Sequence, residues 1–202
     1  MKPAMDLALF DFDGTITTRD TFADFIRHAA PRSRRLWGNA LLLPLLVGYR
    51  LGAVSGHLLR ASAVRVGLGG LPEAEAHARG ERFAGEVLET LLRPEVMARI
   101  DWHRRRGDRV IVVSAALDLY LAPWCRRHGL ELLCSRLAVQ DGRLSGAYLG
   151  PQCVAEEKAR RVQAALQLGD YAQIHAYGDS PDDHALLRLA HHASYRGQPW
   201  RE

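Results

Sequence analysis

The sequence predicts an α/β fold, a parallel sheet with a bundle of helices inserted after its first strand. Short apolar runs alternate with helix-length amphipathic segments over much of the chain, as in strand–helix–strand units. Three runs, "FDFDG", "VVSAA" and "AYGDSPDD", stop at acidic or hydroxyl residues, and ligands of parallel sheets bind beyond such strand ends. From Asp20 to Thr90, by contrast, helix patterns and turn signals follow one another with no strand-like stretch.

Taken in order, "LALFDF" is an apolar run closed by Asp and Gly, which suits a buried parallel strand opening into a loop. Four helices are expected next, with stops at "AAPRS", "GYRLG", "GLGGLPE" and "RPE". A helix over 94–106 leads into "DRVIVVSAA", whose β-branched run reads as a second buried strand. "LDLYLAPWCRRHG" is a crossover helix closed by Gly129. "ELLCSRLAVQDGRLSGAYL" holds a short strand and a hairpin around Asp141-Gly142. "CVAEEKARRVQAALQLG" is an amphipathic helix ending at Gly169, and "AQIHAYGDSPDDHALLRLA" a strand, an acidic loop and a helix. "HHASYRG" is the final strand. Residues 1–18 and 94–202 thus form the sheet-bearing core and 19–93 the helical insert.

A chain of 202 residues with 48% apolar and 25% charged residues has the composition of a globular protein. Cys125, Cys134 and Cys153 show no C-x-x-C spacing, which favours a reducing compartment and argues against zinc. "MKPAMDLALFDFDG" lacks the uninterrupted apolar segment of a secretory signal, so a cytoplasmic protein is expected. The net charge of +4 is uneven: Phe25 to Pro72 holds seven arginines and no acid, leaving −3 for the remainder. Such a segment meets solvent or an anionic partner. Nucleic acid is disfavoured, since the segment has neither interleaved aromatics nor a helix-turn-helix or zinc pattern. Within it, Leu36 to Tyr49 is 14 residues without a charge, after four arginines between Arg27 and Arg35. It is too short to span a bilayer. It reads either as a core-facing helix of the bundle or as an interfacial helix on an anionic membrane.

The topology brings Asp11, Asp13, Asp179, Asp182 and Asp183 to one sheet edge. Singly, Asp before Gly suits a turn and Asp caps helices. Together they repel unless a cation lies between them, and a few oxygen ligands suit Mg2+ beside a substrate phosphate. A carboxylate is also a nucleophile towards phosphorus. With Asp11 in that role, Asp13 could protonate the leaving oxygen and later deprotonate water. Ser114 offers a hydroxyl at a strand end. Lys158 stands out because the chain has 25 arginines and only one other lysine, Lys2. An interior lysine in such a background suggests a site needing a compact ammonium.

In this order "DFDGT" (Asp11 to Thr15), Ser114, Lys158 and "GDSPDD" (Gly178 to Asp183) resemble the haloacid dehalogenase superfamily of phosphatases. The insert resembles the helical type-1 cap of the subfamily containing phosphoserine phosphatase. The resemblance implies a Rossmann-like core with Asp11 as nucleophile and Asp13 as general acid/base. It implies Mg2+ held by the Asp11 carboxylate, the Asp13 carbonyl and Asp179, with Asp183 in or near the next shell. Ser114 and Lys158 would bind the phosphoryl group. The chain departs from phosphoserine phosphatases at Asp182, where they carry Asn, and at Ala115 and Ala116, where they carry glycines. Asp20 replaces a Glu that holds their substrate's amino group, so the chemistry carries over more firmly than the specificity. The apolar stretch after the arginines is similar to that of the bacterial C-type phosphatidylglycerophosphate phosphatase. The expected function is Mg2+-dependent hydrolysis of a phosphomonoester through an aspartyl-phosphate. The substrate is a lipid phosphate such as phosphatidylglycerophosphate, with peripheral contact at the inner face of the membrane, or a small soluble metabolite.

Overall fold

The computed structural model describes residues 5–201, Leu36 by its backbone alone; Lys2 lies outside them. The first strand, β1 (Leu7–Phe10), is apolar throughout and wholly buried, as a strand covered on both faces must be. It pairs in parallel with β2 (Arg109–Leu117) and with β6 (Ile174–Gly178), which sets Phe10 level with Val112 and Tyr177. β3 (Glu131–Ser135) extends the sheet beyond β2, and β7 (His192–Tyr195) beyond β6. The expected last strand is followed by another, β8 (Gln198–Trp200), antiparallel to β7. Arg196 and Gly197 both take positive φ, 52° and 76°, and close a two-residue hairpin. The order is β3-β2-β1-β6-β7-β8. A separate hairpin, β4 (Leu137–Gln140) and β5 (Arg143–Tyr148), turns at Asp141-Gly142 as expected.

The alternation of β1 divides the molecule. Ala8 and Phe10 pack with Ile100 of α5 (Pro94–Arg106) and Trp124 of α6 (Asp118–His128). Leu7 and Leu9 pack with Val162 of α7 (Glu156–Ala165) and with Leu186 of α8 (His184–Leu187). α7 stops at Ala165, short of the expected Gly169, because Leu166 turns extended (φ −137°) and buries its side chain; Gly169 falls in a separate 3-10 turn, Leu168–Asp170.

The insert holds four helices, α1 (Phe22–Ala29), α2 (Arg32–Arg50), α3 (Gly56–Leu68) and α4 (Glu73–Glu86). Its two ends meet at a neck, where the Thr18 N–H donates to Leu91 O at 2.9 Å and the Arg93 N–H to Ile16 O at 2.8 Å. Above the neck, Phe25 and Phe83 pack on Tyr120 of α6 with ring centroids 4.5 and 5.3 Å away. The inserted helices therefore share one apolar cluster with the core. α2 is the exception: most of its large apolar side chains point outward, so it is not a core helix of the bundle.

Candidate active site

Asp11 directly follows β1 and is buried; its N–H donates to Tyr177 O at 2.9 Å, which ties it to the end of β6. The chain then makes a π-type turn, Phe12–Ile16, with Gly14 at φ 82°. A Cβ on Gly14 would lie 2.3 Å from Asp179 Oδ2, so glycine is needed both for the backbone and for the approach of that carboxylate.

Lys158 comes from the first turns of α7, on the face of β1 that carries Leu7 and Leu9. Just before the helix, Ala155 takes positive φ (49°), rare for a residue with a Cβ. The buried Nζ donates to Asp11 Oδ1 at 2.6 Å and to Asp183 Oδ1 at 2.5 Å. Burial opposes the ammonium charge, but Asp11 and Asp183 outweigh it and hold Lys158 above its usual range. Asp183 is wholly buried, and its Oδ2 accepts from the N–H groups of Asp179 (3.1 Å) and Ser180 (2.9 Å). Burial pushes its carboxyl up; Lys158 and these amides more than reverse that, leaving it below the usual range. Asp179 is half-buried, and its Oδ1 accepts from Thr15 Oγ1 at 3.3 Å. Burial and then Asp183 raise it.

One oxygen each of Asp11, Asp179 and Asp183 lie within 4.8 Å of one another, against a single ammonium. Burial pushes Asp11 up to about 7, with Lys158 opposing and Asp183 adding to the shift. Three carboxylates thus share one ammonium at the end of β1. The all-oxygen donor set fits Mg2+.

Asp13 turns the other way. Its Oδ1 accepts from the Thr21 N–H (2.9 Å) and the Thr21 hydroxyl (2.6 Å), and the Tyr120 hydroxyl lies 3.2 Å from Thr21 Oγ1. Burial and then Asp20 raise Asp13 well above the usual carboxylate range, against the pull of Thr21. Asp20 itself is exposed, and its Oδ1 accepts from the Phe22 N–H at 2.9 Å, an Asx turn leading into α1. Ser114 is buried near the end of β2, where its Oγ accepts from the Ala116 N–H at 3.1 Å. Asp182, expected at the same edge, is left out of the carboxylate cluster. It lies in the 3-10 turn Pro181–Asp183, whose capping box turns Asp183 inward instead.

Residues 8–188 match the family model described as haloacid dehalogenase-like hydrolase. The chain belongs to that family. It is 36% identical over 193 residues to Protein CicA of Caulobacter vibrioides (strain NA1000 / CB15N), covering 94% of this chain and 85% of that one. A crystal structure of a protein with unknown function from Bordetella pertussis Tohama I superposes with TM-score 0.76 at 26% identity, over 95% of this chain and 89% of that one. A phospho-aspartyl intermediate analogue of phosphoserine phosphatase gives TM-score 0.65 at 21% identity, over 95% and 86%.

Four residues of this haloacid dehalogenase-like site escape a reading of the sequence for carboxylates. Thr15 holds Asp179 and Thr21 holds Asp13. Arg93 Nε donates to the carbonyls of Gly14 and Thr17, each at 3.2 Å, and Arg196 Nε to Asp179 O at 2.7 Å. Thr15 directly follows Gly14 and Thr21 precedes a helix, which are the usable signals; the arginines reach the site only through tertiary folding. Arg93 and Arg196 also line a cleft of about 570 Å3 bordered by Gly14 and Asp179.

Proposed function

We propose that the protein is a Mg2+-dependent phosphomonoester hydrolase that works through an aspartyl-phosphate on Asp11. The supporting observation is the buried Lys158 bridging Asp11 and Asp183, with Asp179 beside them at the end of β1. Lys158 holds Asp11 Oδ1, which leaves Oδ2 to attack phosphorus while the bond to the ester oxygen breaks. Asp13, protonated at the outset, gives its proton to the departing alcohol. It then takes a proton from a water, whose oxygen attacks phosphorus, and the Asp11–phosphorus bond breaks to release inorganic phosphate. Thr21 orients Asp13 for both transfers. Ser114 and Lys158 receive non-bridging phosphoryl oxygens, and Asp20 stands beside Asp13 at the entry to the insert. Mg2+, held by the Asp11 carboxylate, the Asp13 carbonyl and Asp179 with Asp183 behind them, would neutralise the charge that builds on phosphate. Both Asp183 oxygens are already engaged, which suits that outer place.

The substrate in this reading is a phosphomonoester carried by a lipid headgroup, ahead of a small soluble metabolite, and the protein works from the cytoplasm at the membrane's inner face. Supporting it is the acid-free segment of seven arginines between Phe25 and Pro72, carried on α1, α2 and α3. Among the described residues no helix is long and apolar enough to cross a membrane.

The test is hydrolysis of nitrophenyl phosphate and of a phosphorylated lipid by wild type, Asp11→Asn and Asp13→Asn. Asp11→Asn is expected to fold and to lose turnover, and chelation to silence the wild type until Mg2+ is restored. Asp13→Asn is expected to lose far more on the alkyl ester than on nitrophenyl phosphate, since acid catalysis matters most for a poor leaving group and contributes about a hundredfold to ten-thousandfold. Turnover by Asp11→Asn within about tenfold of wild type would remove the nucleophile from Asp11.

A further inference from the structure

α2 turns the usual amphipathic logic inside out. Its inward side carries Gly38, where a Cβ would come within 3.1 Å of the Val66 side chain of α3, and Gly48, where one would come within 2.6 Å of Val54 in the loop before α3. Gly38 lets the two helices approach closely, and Gly48 lets the connecting loop fold back on α2. The bulky apolar residues face away, with Trp37 80% exposed, Leu41 65% and Leu51, just past the helix, 78%. Leu43, Leu46, Val47 and Tyr49 are exposed as well. A helix that packs through glycine and shows tryptophan and leucine to solvent presents a contiguous apolar face, and such faces mark interaction sites.

The charge around this face selects its occupant. Arg32 and Arg35 flank it at one end and Arg50 at the other, and among the described residues none of the three is paired with a carboxylate. A two-fold contact with a second copy would set this acid-free, seven-arginine segment against itself, with no carboxylate in the segment to balance it. An anionic bilayer offers what the face lacks, apolar depth for the outward side chains and negative headgroups for the arginines. The α2–α3 tip is also tied to the catalytic core: Gln152 Nε2, in the loop leading to α7 and Lys158, donates to His57 O at 2.9 Å.

We infer that the outward face of α2 docks flat in the interface of an anionic lipid bilayer and seats the catalytic core against the headgroups. The inference names the surface that the proposed lipid-phosphate activity would work on; the docking itself does not depend on that activity.

The experiment measures partition of the full chain onto vesicles by co-sedimentation and by tryptophan fluorescence. Equimolar phosphatidylglycerol–phosphatidylcholine vesicles are expected to bind the protein about tenfold or more above pure phosphatidylcholine ones, with release as ionic strength rises. Fluorescence should shift to the blue on binding, and Trp37→Phe should abolish the shift without preventing binding. The triple variant Trp37→Ser, Leu41→Ser, Val47→Ser and, separately, Arg32→Glu with Arg35→Glu and Arg50→Glu should each lose the partition. Both should keep the wild-type melting temperature and nitrophenyl phosphate turnover. Equal partition onto both vesicle types, or none, would overturn the docking. So would a concentration-dependent dimer that the triple serine variant abolishes, which would assign the face to a second copy. A wild type that partitions as expected but hydrolyses no phosphomonoester would instead overturn the proposed activity and leave the docking standing.

Discussion

Replacing Lys158 by Met tests whether the site is held together by its own charges. Lys158 Nζ bonds two buried carboxylates, Asp11 at 2.6 Å and Asp183 at 2.5 Å. Met fills most of the same volume, so the main loss is electrostatic. Removing one member of a buried ion pair costs about 3–5 kcal/mol, because the partner's charge is left buried and uncompensated. Here two partners are stranded side by side, and the upper part of that range applies. At about 2–4 °C per kcal/mol for a chain of this size, Lys158→Met should melt roughly 8–20 °C below wild type. Asp11→Asn removes one of the stranded charges, so the double variant should regain part of the loss, with a coupling of about 1–3 kcal/mol. The assay is urea unfolding of all four proteins in chelator, so that no cation takes the place of the ammonium. A Lys158→Met variant within about 1 kcal/mol of wild type, or a double variant equal to the two single losses added, would refute the picture of a buried charge bridge.

Two further perturbations probe the surroundings of Asp13 and Asp179. Thr21→Val deletes the hydroxyl bond to Asp13 but keeps the backbone one; hydrogen bonds to charged groups contribute about 1.5–3 kcal/mol, so kcat/KM on an alkyl phosphate should fall roughly tenfold to a hundredfold. Nitrophenyl phosphate should be much less affected and Thr21→Ser should restore the rate; equal losses on both esters would detach Thr21 from the acid. Gly14→Ala imposes positive φ on a residue with a Cβ, a strain of about 1–2 kcal/mol, and drives that Cβ into the Asp179 carboxylate. Its Mg2+ requirement, read as the concentration for half-maximal turnover, should rise about tenfold or more, and an unchanged requirement would separate Asp179 from the metal.

The parts legible in the sequence are those in which local pattern and tertiary role coincide. β1 reads as buried because all its residues are apolar, and it proves to lie mid-sheet. Lys158 is conspicuous as an interior lysine among arginines, and it is the cation found between Asp11 and Asp183. Asp182 and Asp183 look alike in sequence, but only the capping geometry of Ser180 decides which turns inward. The end of α7 depends on Leu166 finding the core, and β8 on a hairpin closed by Arg-Gly, which lacks the usual Asn or Asp. α2 is ambiguous in the sequence because an apolar run records that a face is apolar without recording which way it points; Gly38 against Val66 of α3, with Trp37 and Leu41 exposed, settles that.

The environments of Asp11 and Asp13 differ in a way that bears on how substrate choice and chemistry are divided. Asp11 is gripped by Lys158, a residue of the core, on the side where Leu7 and Leu9 meet α7. Asp13 is gripped by Thr21, the residue that starts the inserted helices, beside Tyr120, on which Phe25 and Phe83 of the insert pack. Carboxylates assigned to different tasks are set apart by such differences in surroundings. In the proposed reaction the nucleophile therefore belongs to the sheet, while the acid takes its orientation from the segment that also meets the leaving group. A change in the insert would then act on proton transfer to the departing alcohol before it touched attack on phosphorus. Because Thr21 leads directly into α1, whose Phe22 and Phe25 lie in the apolar cluster shared with the core, repacking of those side chains is the route by which the insert would reach the acid.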